Sequence, residues 1–233
     1  MAVPVRFAAM RLAALVLILA AAYRPAIGSE TASGIPAART ELAAASSQRA
    51  RQSSKPQIYF LRGGFAGVFS TGLDDIAKEL DKDGIPARVT SWTSARSVTA
   101  KISRAYAADK SAGPVILAGH SLGAGAVIDI ARHLTEKGVP VDLLIVFDTL
   151  GAPPVPKGVA KFISFKASGN KKSSGRFHGA PGFNGKIVNI DIRTLPGLDD
   201  STHWNMVFKK DLQARVMKEI ETVLRRWKPK RRS

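Results

Sequence analysis

Val115-Ile116-Leu117-Ala118-Gly119-His120-Ser121-Leu122-Gly123 is an apolar run that ends in a Gly-x-Ser-x-Gly turn. A helical pattern follows at once. It places Ala126, Val127, Ile130, Ala131 and Leu134 on one side, and Gly138 with Pro140 closes it. A serine between a buried strand and a helix must turn sharply through a strained backbone. Glycines two residues to either side let strand and helix approach closely there. The turn lifts the hydroxyl above the sheet edge, and the helix N-terminus behind it favours developing negative charge. Ser121 therefore reads as a nucleophile. The bland alternative is a serine that caps the helix in a glycine-rich turn.

The same alternation runs outward on both sides. Upstream, Ile58-Tyr59-Phe60-Leu61 reads as a buried strand that leads into Arg62-Gly63-Gly64-Phe65. A helix opens near Thr71, with Asp74 completing a pattern like a capping box, and carries Leu73, Ile76 and Leu80. Residues 87–92 form a second strand, and Val98, Ile102 and Tyr106 mark the next helix. Downstream, 141–147 is a strand broken only by Asp142, and 162–167 and 187–192 are two more. Leu212, Val216, Ile220, Val223 and Trp227 give the closing helix a strong helical period. Continuous apolar strands alternating with amphipathic helices predict an α/β domain. Its mostly parallel sheet has about six strands, with helices on both faces. Sites in such sheets form at the carboxyl ends of the strands.

A serine hydroxyl needs a base within hydrogen-bond reach, and the base needs an orienting partner. Of the four histidines, His120 is expected to point away from the Ser121 side chain, and His133 lies three turns along the helix. His203, in Asp199-Asp200-Ser201-Thr202-His203-Trp204 after the last strand, is the preferred base, and His178 in the loop 168–185 is the alternative. Asp148 ends the strand that follows the serine strand and is the preferred acid. Asp199 and Asp200 stay open because they share a loop with His203. An oxyanion would be held by the Leu122 N–H together with an N–H of Gly64 or Phe65, where Gly63-Gly64 permits close approach.

The strand and Gly-Gly-Phe loop, the Gly-His-Ser-Leu-Gly turn, the strand-end aspartate and the late histidine together resemble the α/β-hydrolase superfamily, over residues 57 to about 227. The Gly-His-Ser-Leu-Gly form is similar to that of lipases and thioesterases, and so is an acid at Asp148. The resemblance implies the α/β-hydrolase fold, with Ser121 as nucleophile, Asp148 as acid and His203 as base. It implies hydrolysis of a small-molecule carboxylic ester or thioester through an acyl-enzyme, with no metal or organic cofactor. Arg62-Gly63-Gly64 stands where many members carry a His-Gly pair. The short, proline-rich connection from Thr149 to Ala160 leaves only a minimal lid, for which loop 168–185 is the candidate. The rival from another class is a non-catalytic module of the same fold that binds anionic surfaces.

The 233 residues suffice for one such domain with a sizeable core. Residues 1–28 carry three arginines and no acid around the apolar run 12–22, which is short for a membrane span. They read as a signal peptide cleaved after Ala22 or Gly28, hence an exported protein, periplasmic or extracellular in a bacterium; an uncleaved anchor is the alternative. Residues 29–55 read as a disordered linker, and 56–233 as the catalytic domain with a basic tail. There is no cysteine, which excludes thiolate catalysis and cysteine metal sites. The net charge is +17. No Asp or Glu occurs between Asp148 and Asp191, a stretch that holds Lys171, Lys172 and Arg176 on the loop expected at the site mouth. Aromatic residues are not interleaved with the basic clusters, which argues against nucleic acid. An anionic membrane or anionic substrate fits better, and the bland reading is a solvated basic face.

Overall fold

The computed structural model describes residues 40–41, 55–110, 112–167 and 175–227. The signal peptide expected at 1–28 lies outside them, as does nearly all of the expected linker. Contacts divide the chain into residues 1–41 and 42–233, and everything below concerns the second unit.

Six strands form one sheet: β1 (Gln57–Arg62), β2 (Ala87–Ser91), β3 (Val115–His120), β4 (Leu143–Phe147), β5 (Lys161–Lys166) and β6 (Lys186–Asp191). Their order is β2-β1-β3-β4-β5-β6, and every pairing is parallel. Among the described residues, α1 (Gly72–Lys82), α2 (Ala95–Ala108) and α3 (Leu122–Glu136) connect β1 to β2, β2 to β3 and β3 to β4, and α4 (Lys210–Arg226) follows β6. The four inner strands are apolar almost without break because both faces are covered. Ile58, Phe60, Ile116, Ala118, Ile145, Phe147, Ile163 and Phe165 point to one face, against Leu73, Ile76 and Leu80 of α1 and Leu212, Val216 and Ile220 of α4. The alternate residues Tyr59, Leu61, Leu117, Leu144, Val146 and Phe162 point to the other, against α2 and α3. Each fully buried Val, Leu, Ile or Phe among them contributes roughly 1.5–3 kcal/mol. The edge strands β2 and β6 are only half covered.

Three local differences from the sequence reading have clear causes. The strand expected over 141–147 begins at Leu143, because the Asp142 carboxylate turns aside to accept the Val115 N–H (2.9 Å). Its burial raises the Asp142 pKa above the usual carboxylate value. The capping box at Thr71 does not form. Thr71 is already helical, its hydroxyl donates back to the Val68 carbonyl (3.2 Å), and Asp74 instead pairs with Arg62 of β1. The described part of loop 168–185 is strapped down. Phe177 is buried against Phe162, its N–H and C=O are both bonded to the Asn189 side chain, and Ala180 N–H donates to the Val155 carbonyl.

The start of α3 is packed tightly against β3 and β1. A Cβ on Gly119 would lie 2.2 Å from the Gly123 carbonyl oxygen, and one on Gly123 would lie 2.1 Å from the Leu61 carbonyl oxygen. Gly125, one turn into α3, faces open space. Gly119→Ala and Gly123→Ala are therefore expected to lower the melting temperature sharply. Gly125→Ala should stabilise, by roughly 0.5–1 kcal/mol, because it removes a mid-helix glycine without a clash. Thermal unfolding of the three variants checks this contrast; equal effects would contradict it.

Candidate active site

The parallel ladder continues one residue past two neighbouring strands. Ser121 N–H donates to the Phe147 carbonyl (3.0 Å), and Asp148 N–H donates to the Phe165 carbonyl (2.8 Å). Both residues then turn left-handed, with φ of 58° at Ser121 and 45° at Asp148. Such conformations cost a residue with a side chain roughly 1–3 kcal/mol and persist where the surroundings over-determine them. Here the sheet holds each from one side. At Ser121 the N-terminus of α3 takes the chain onward.

His203 arrives on the loop between β6 and α4 and bridges the two. Its Nδ1–H donates to Asp148 Oδ2 at 2.7 Å, and its Nε2 accepts from the Ser121 hydroxyl at 3.1 Å. The Asp148 side chain is wholly shielded from solvent, and its other oxygen accepts the Ala167 N–H (3.3 Å). The arrangement fixes the imidazole tautomer: the carboxylate can only accept, so Nδ1 carries the proton and Nε2 is left free to take one. The competing candidates lie elsewhere. Asp200 pairs with Lys209 (2.6 Å), which lowers its pKa. Asp199 accepts a bond from Arg193 through its backbone carbonyl, and the His178 carbonyl is bonded to Val155 N–H in the strapped loop.

The β1 loop closes the other side. A Cβ on Gly63 would lie 2.9 Å from Ser121 Cβ, and one on Gly64 would lie 3.2 Å from Leu122 Cδ1, so the glycine pair passes directly against the serine turn. Leu122 opens α3, and its N–H has no acceptor within the helix. The Gly63 N–H is committed to Ser70 Oγ (3.0 Å). Gly64 thus stands beside Leu122, two of the residues expected to supply oxyanion donors, and Phe65 follows Gly64 on the same loop. Of the three cations expected at the mouth, Lys171 and Lys172 lie outside the described residues. Arg176 lines a depression of about 280 Å³ at the β5–β6 edge together with Lys166, Asn189 and Asp191. Although no Asp or Glu occurs in sequence between Asp148 and Asp191, Arg176 does not stand apart from acids: Asp191, at the end of β6, shares that depression.

Sequence reasoning missed the part played by His120 and Ser70. His120 does point away from Ser121, but into a buried relay. Gly63 N–H donates to Ser70 Oγ, and the Ser70 hydroxyl donates to His120 Nδ1 (2.9 Å). His120 Nε2–H then donates to the His203 carbonyl oxygen (2.9 Å). One buried imidazole thus ties the β1 loop to the histidine loop. Burial, followed by the neighbouring His203, pushes its pKa down from 6.5 to about 4. His120 is therefore neutral at ordinary pH, as the relay requires, since a protonated ring could not accept from Ser70. The only prior signal was a histidine inside an otherwise apolar strand.

The depressed pKa has a sign that can be measured. Between 6.5 and about 4 the unfolded chain binds a proton that folded His120 refuses, so this site's contribution to stability is lost as pH falls through that window. The whole loss amounts to about 3 kcal/mol. Urea unfolding at a series of pH values should show wild type falling more steeply than His120→Gln across the window; parallel curves would contradict the relay.

No protein-family model matches the chain, and no curated protein matches it. Solved structures similar to it include a Xanthomonas campestris protein of the alpha/beta superfamily of hydrolases. It is 15% identical, with 70% of this chain and 98% of that one covered and a TM-score of 0.44. Alpha/beta hydrolase domain-containing protein 10 from mouse is 11% identical over 72% and 89%, with a TM-score of 0.42. The NocB thioesterase domain from the nocardicin cluster is 12% identical over 73% and 94%, with a TM-score of 0.40. On its own all-parallel sheet order and the strained serine turn after β3, the chain has an α/β-hydrolase-like fold.

Proposed function

We propose that the protein is a serine hydrolase that cleaves a carboxylic ester or thioester through an acyl-enzyme on Ser121. The observation that carries this reading is the continuous line of hydrogen bonds from the shielded Asp148 carboxylate through His203 to the Ser121 hydroxyl. Three residues 27 or more positions apart meet there with the tautomer needed for proton transfer. Serine capping alone would explain neither the contact to His203 nor the buried acid behind it.

The chemistry follows from the atoms. His203 Nε2 takes the hydroxyl proton as Ser121 Oγ attacks the acyl carbon. Asp148 stabilises the imidazolium and keeps the ring oriented. The carbonyl oxygen becomes an oxyanion beside the N–H groups of Leu122 and of Gly64 or Phe65, at the positive end of α3. His203 then gives the proton to the departing alkoxide or thiolate. In the second half a water molecule enters, His203 deprotonates it, and the acid is released with Ser121 regenerated. The narrower parts of the reading are export through residues 1–28 and a preference between ester and thioester. N-terminal sequencing of native protein tests the first, with Tyr23 or Ser29 the expected start. A chain-length series of chromogenic esters run beside an acyl thioester tests the second.

Substitutions separate this reading from a non-catalytic module. Ser121→Ala should abolish ester turnover while keeping the fold. Asp148→Asn should lower kcat by an amount on the order of 10⁴, the size seen when the acid of a serine triad is amidated. Asp200→Asn should have little effect, because Asp200 is engaged with Lys209 rather than His203. Full turnover in Ser121→Ala, or reversed effects at Asp148 and Asp200, would sink the assignment.

A further inference from the structure

Among the described residues, every exposed large apolar side chain lies in a segment that follows the carboxyl end of a strand. Seven of them, all but Trp92, come from the β1 loop (Phe65, Val68, Phe69), the serine turn (Leu122), the loop after β4 (Leu150) and the segment between β6 and α4 (Trp204, Phe208). Part of this set is contiguous. Phe65, Phe69 and Trp204 pack edge to face, with centroids 6.4, 6.1 and 4.8 Å apart, and the Trp204 ring stands against His203 at 4.8 Å. Leu122 borders the same loop at Gly64. Scattered apolar residues on a surface need no explanation, but a cluster confined to the rim of one site does.

Phe65 is the most telling member. It is 76% exposed, and its φ is 52°, in the left-handed region, with Ala66 and Gly67 left-handed after it. A bulky residue there is a backbone outlier. Neither burial nor ease of conformation accounts for a phenylalanine at this position, so its ring answers to something outside the fold. An oxyanion role would use its N–H and leave the ring unexplained.

We propose that this rim docks the protein onto an anionic lipid surface and that the hydrolysed acyl group is taken from that surface. The proposal rests on the serine-hydrolase reading for its second half only. Phe and Trp rings on a water-facing rim suit the boundary between headgroups and acyl chains. The excess of basic over acidic residues, a net charge of +17 for the full sequence, complements anionic headgroups. The same charge makes a second copy of the chain a poor occupant, because like charges repel. The Ser121 hydroxyl then opens toward the phase that holds the acyl chains, and no large lid is needed to exclude water from it.

The test uses the protein with the N-terminus it carries in its native host, and phosphatidylglycerol vesicles compared with phosphatidylcholine vesicles. Ser121→Ala serves as the binding form, so docking is read without turnover. Trp92→Phe/Trp227→Phe leaves Trp204 as the single tryptophan. Expected are co-sedimentation with phosphatidylglycerol vesicles, a blue shift of Trp204 emission, and weakening of both by high salt. Val68→Ser/Phe69→Ser should lower vesicle affinity at least tenfold at an unchanged melting temperature. Absence of binding, equal binding to both lipids, an unmoved Trp204 emission, or an unaffected double variant would each overturn the proposal. So would self-association through the rim in the absence of lipid. If Ser121→Ala docks but wild type cleaves no ester, the hydrolase reading fails while the docking surface stands. If wild type cleaves soluble esters and does not dock, the converse holds.

Discussion

Two main-chain hydrogen bonds govern the site: Ser121 N–H to the Phe147 carbonyl and Asp148 N–H to the Phe165 carbonyl. Each extends the sheet by one residue beyond its strand and so fixes where the chain leaves it. The register of β3 on β4 and of β4 on β5 then sets the spacing between the serine and the aspartate. That spacing suits one imidazole, with bonds of 3.1 and 2.7 Å to the two sides. A one-residue slip in either register would turn the apolar side chains of that strand to the opposite faces of the sheet and carry these residues off the edge. The stability of the core and the geometry of the site are thus one constraint, paid for by the left-handed strain at Ser121 and Asp148.

The third member comes from a loop, and a loop needs its own anchor. His120 supplies it from inside the sheet by donating to the His203 carbonyl, while Ser70 and Gly63 draw the β1 loop into the same network. A charged imidazole would be costly in this buried place, which is why the His120 pKa falls to about 4 and the ring stays neutral. The compensation is that every polar atom of the ring is bonded. The arrangement couples the loop beside the serine to the loop that carries the base, so a disturbance of either is felt by the other.

Most of this frame was legible in the sequence. Continuous apolar strands reveal a sheet covered on both faces, and the strand-end positions of Ser121 and Asp148 follow from the ends of those runs. What escaped was set by three-dimensional proximity. Asp142 looked like a polar flaw in a strand, and it proves to be a carboxylate that caps the start of β3. Thr71 and Asp74 matched a capping pattern, but Arg62 on β1 offered Asp74 a charged partner that sequence spacing does not reveal. The relay through Ser70 and His120 joins residues 50 and 83 positions apart, beyond any local pattern. The aromatic rim was invisible for a related reason. Phe65, Phe69 and Trp204 sit in two distant segments, and only the left-handed turn after Gly64 swings them together.

The account stands or falls on whether Ser121 is a nucleophile activated by His203. A fluorophosphonate reagent followed by intact-mass and peptide analysis measures this directly. The account predicts one phosphonyl group per chain, located on Ser121, with labelling slowed by orders of magnitude when His203 is replaced by alanine. An unlabelled chain, or a label on another serine at the same rate with and without His203, would contradict it.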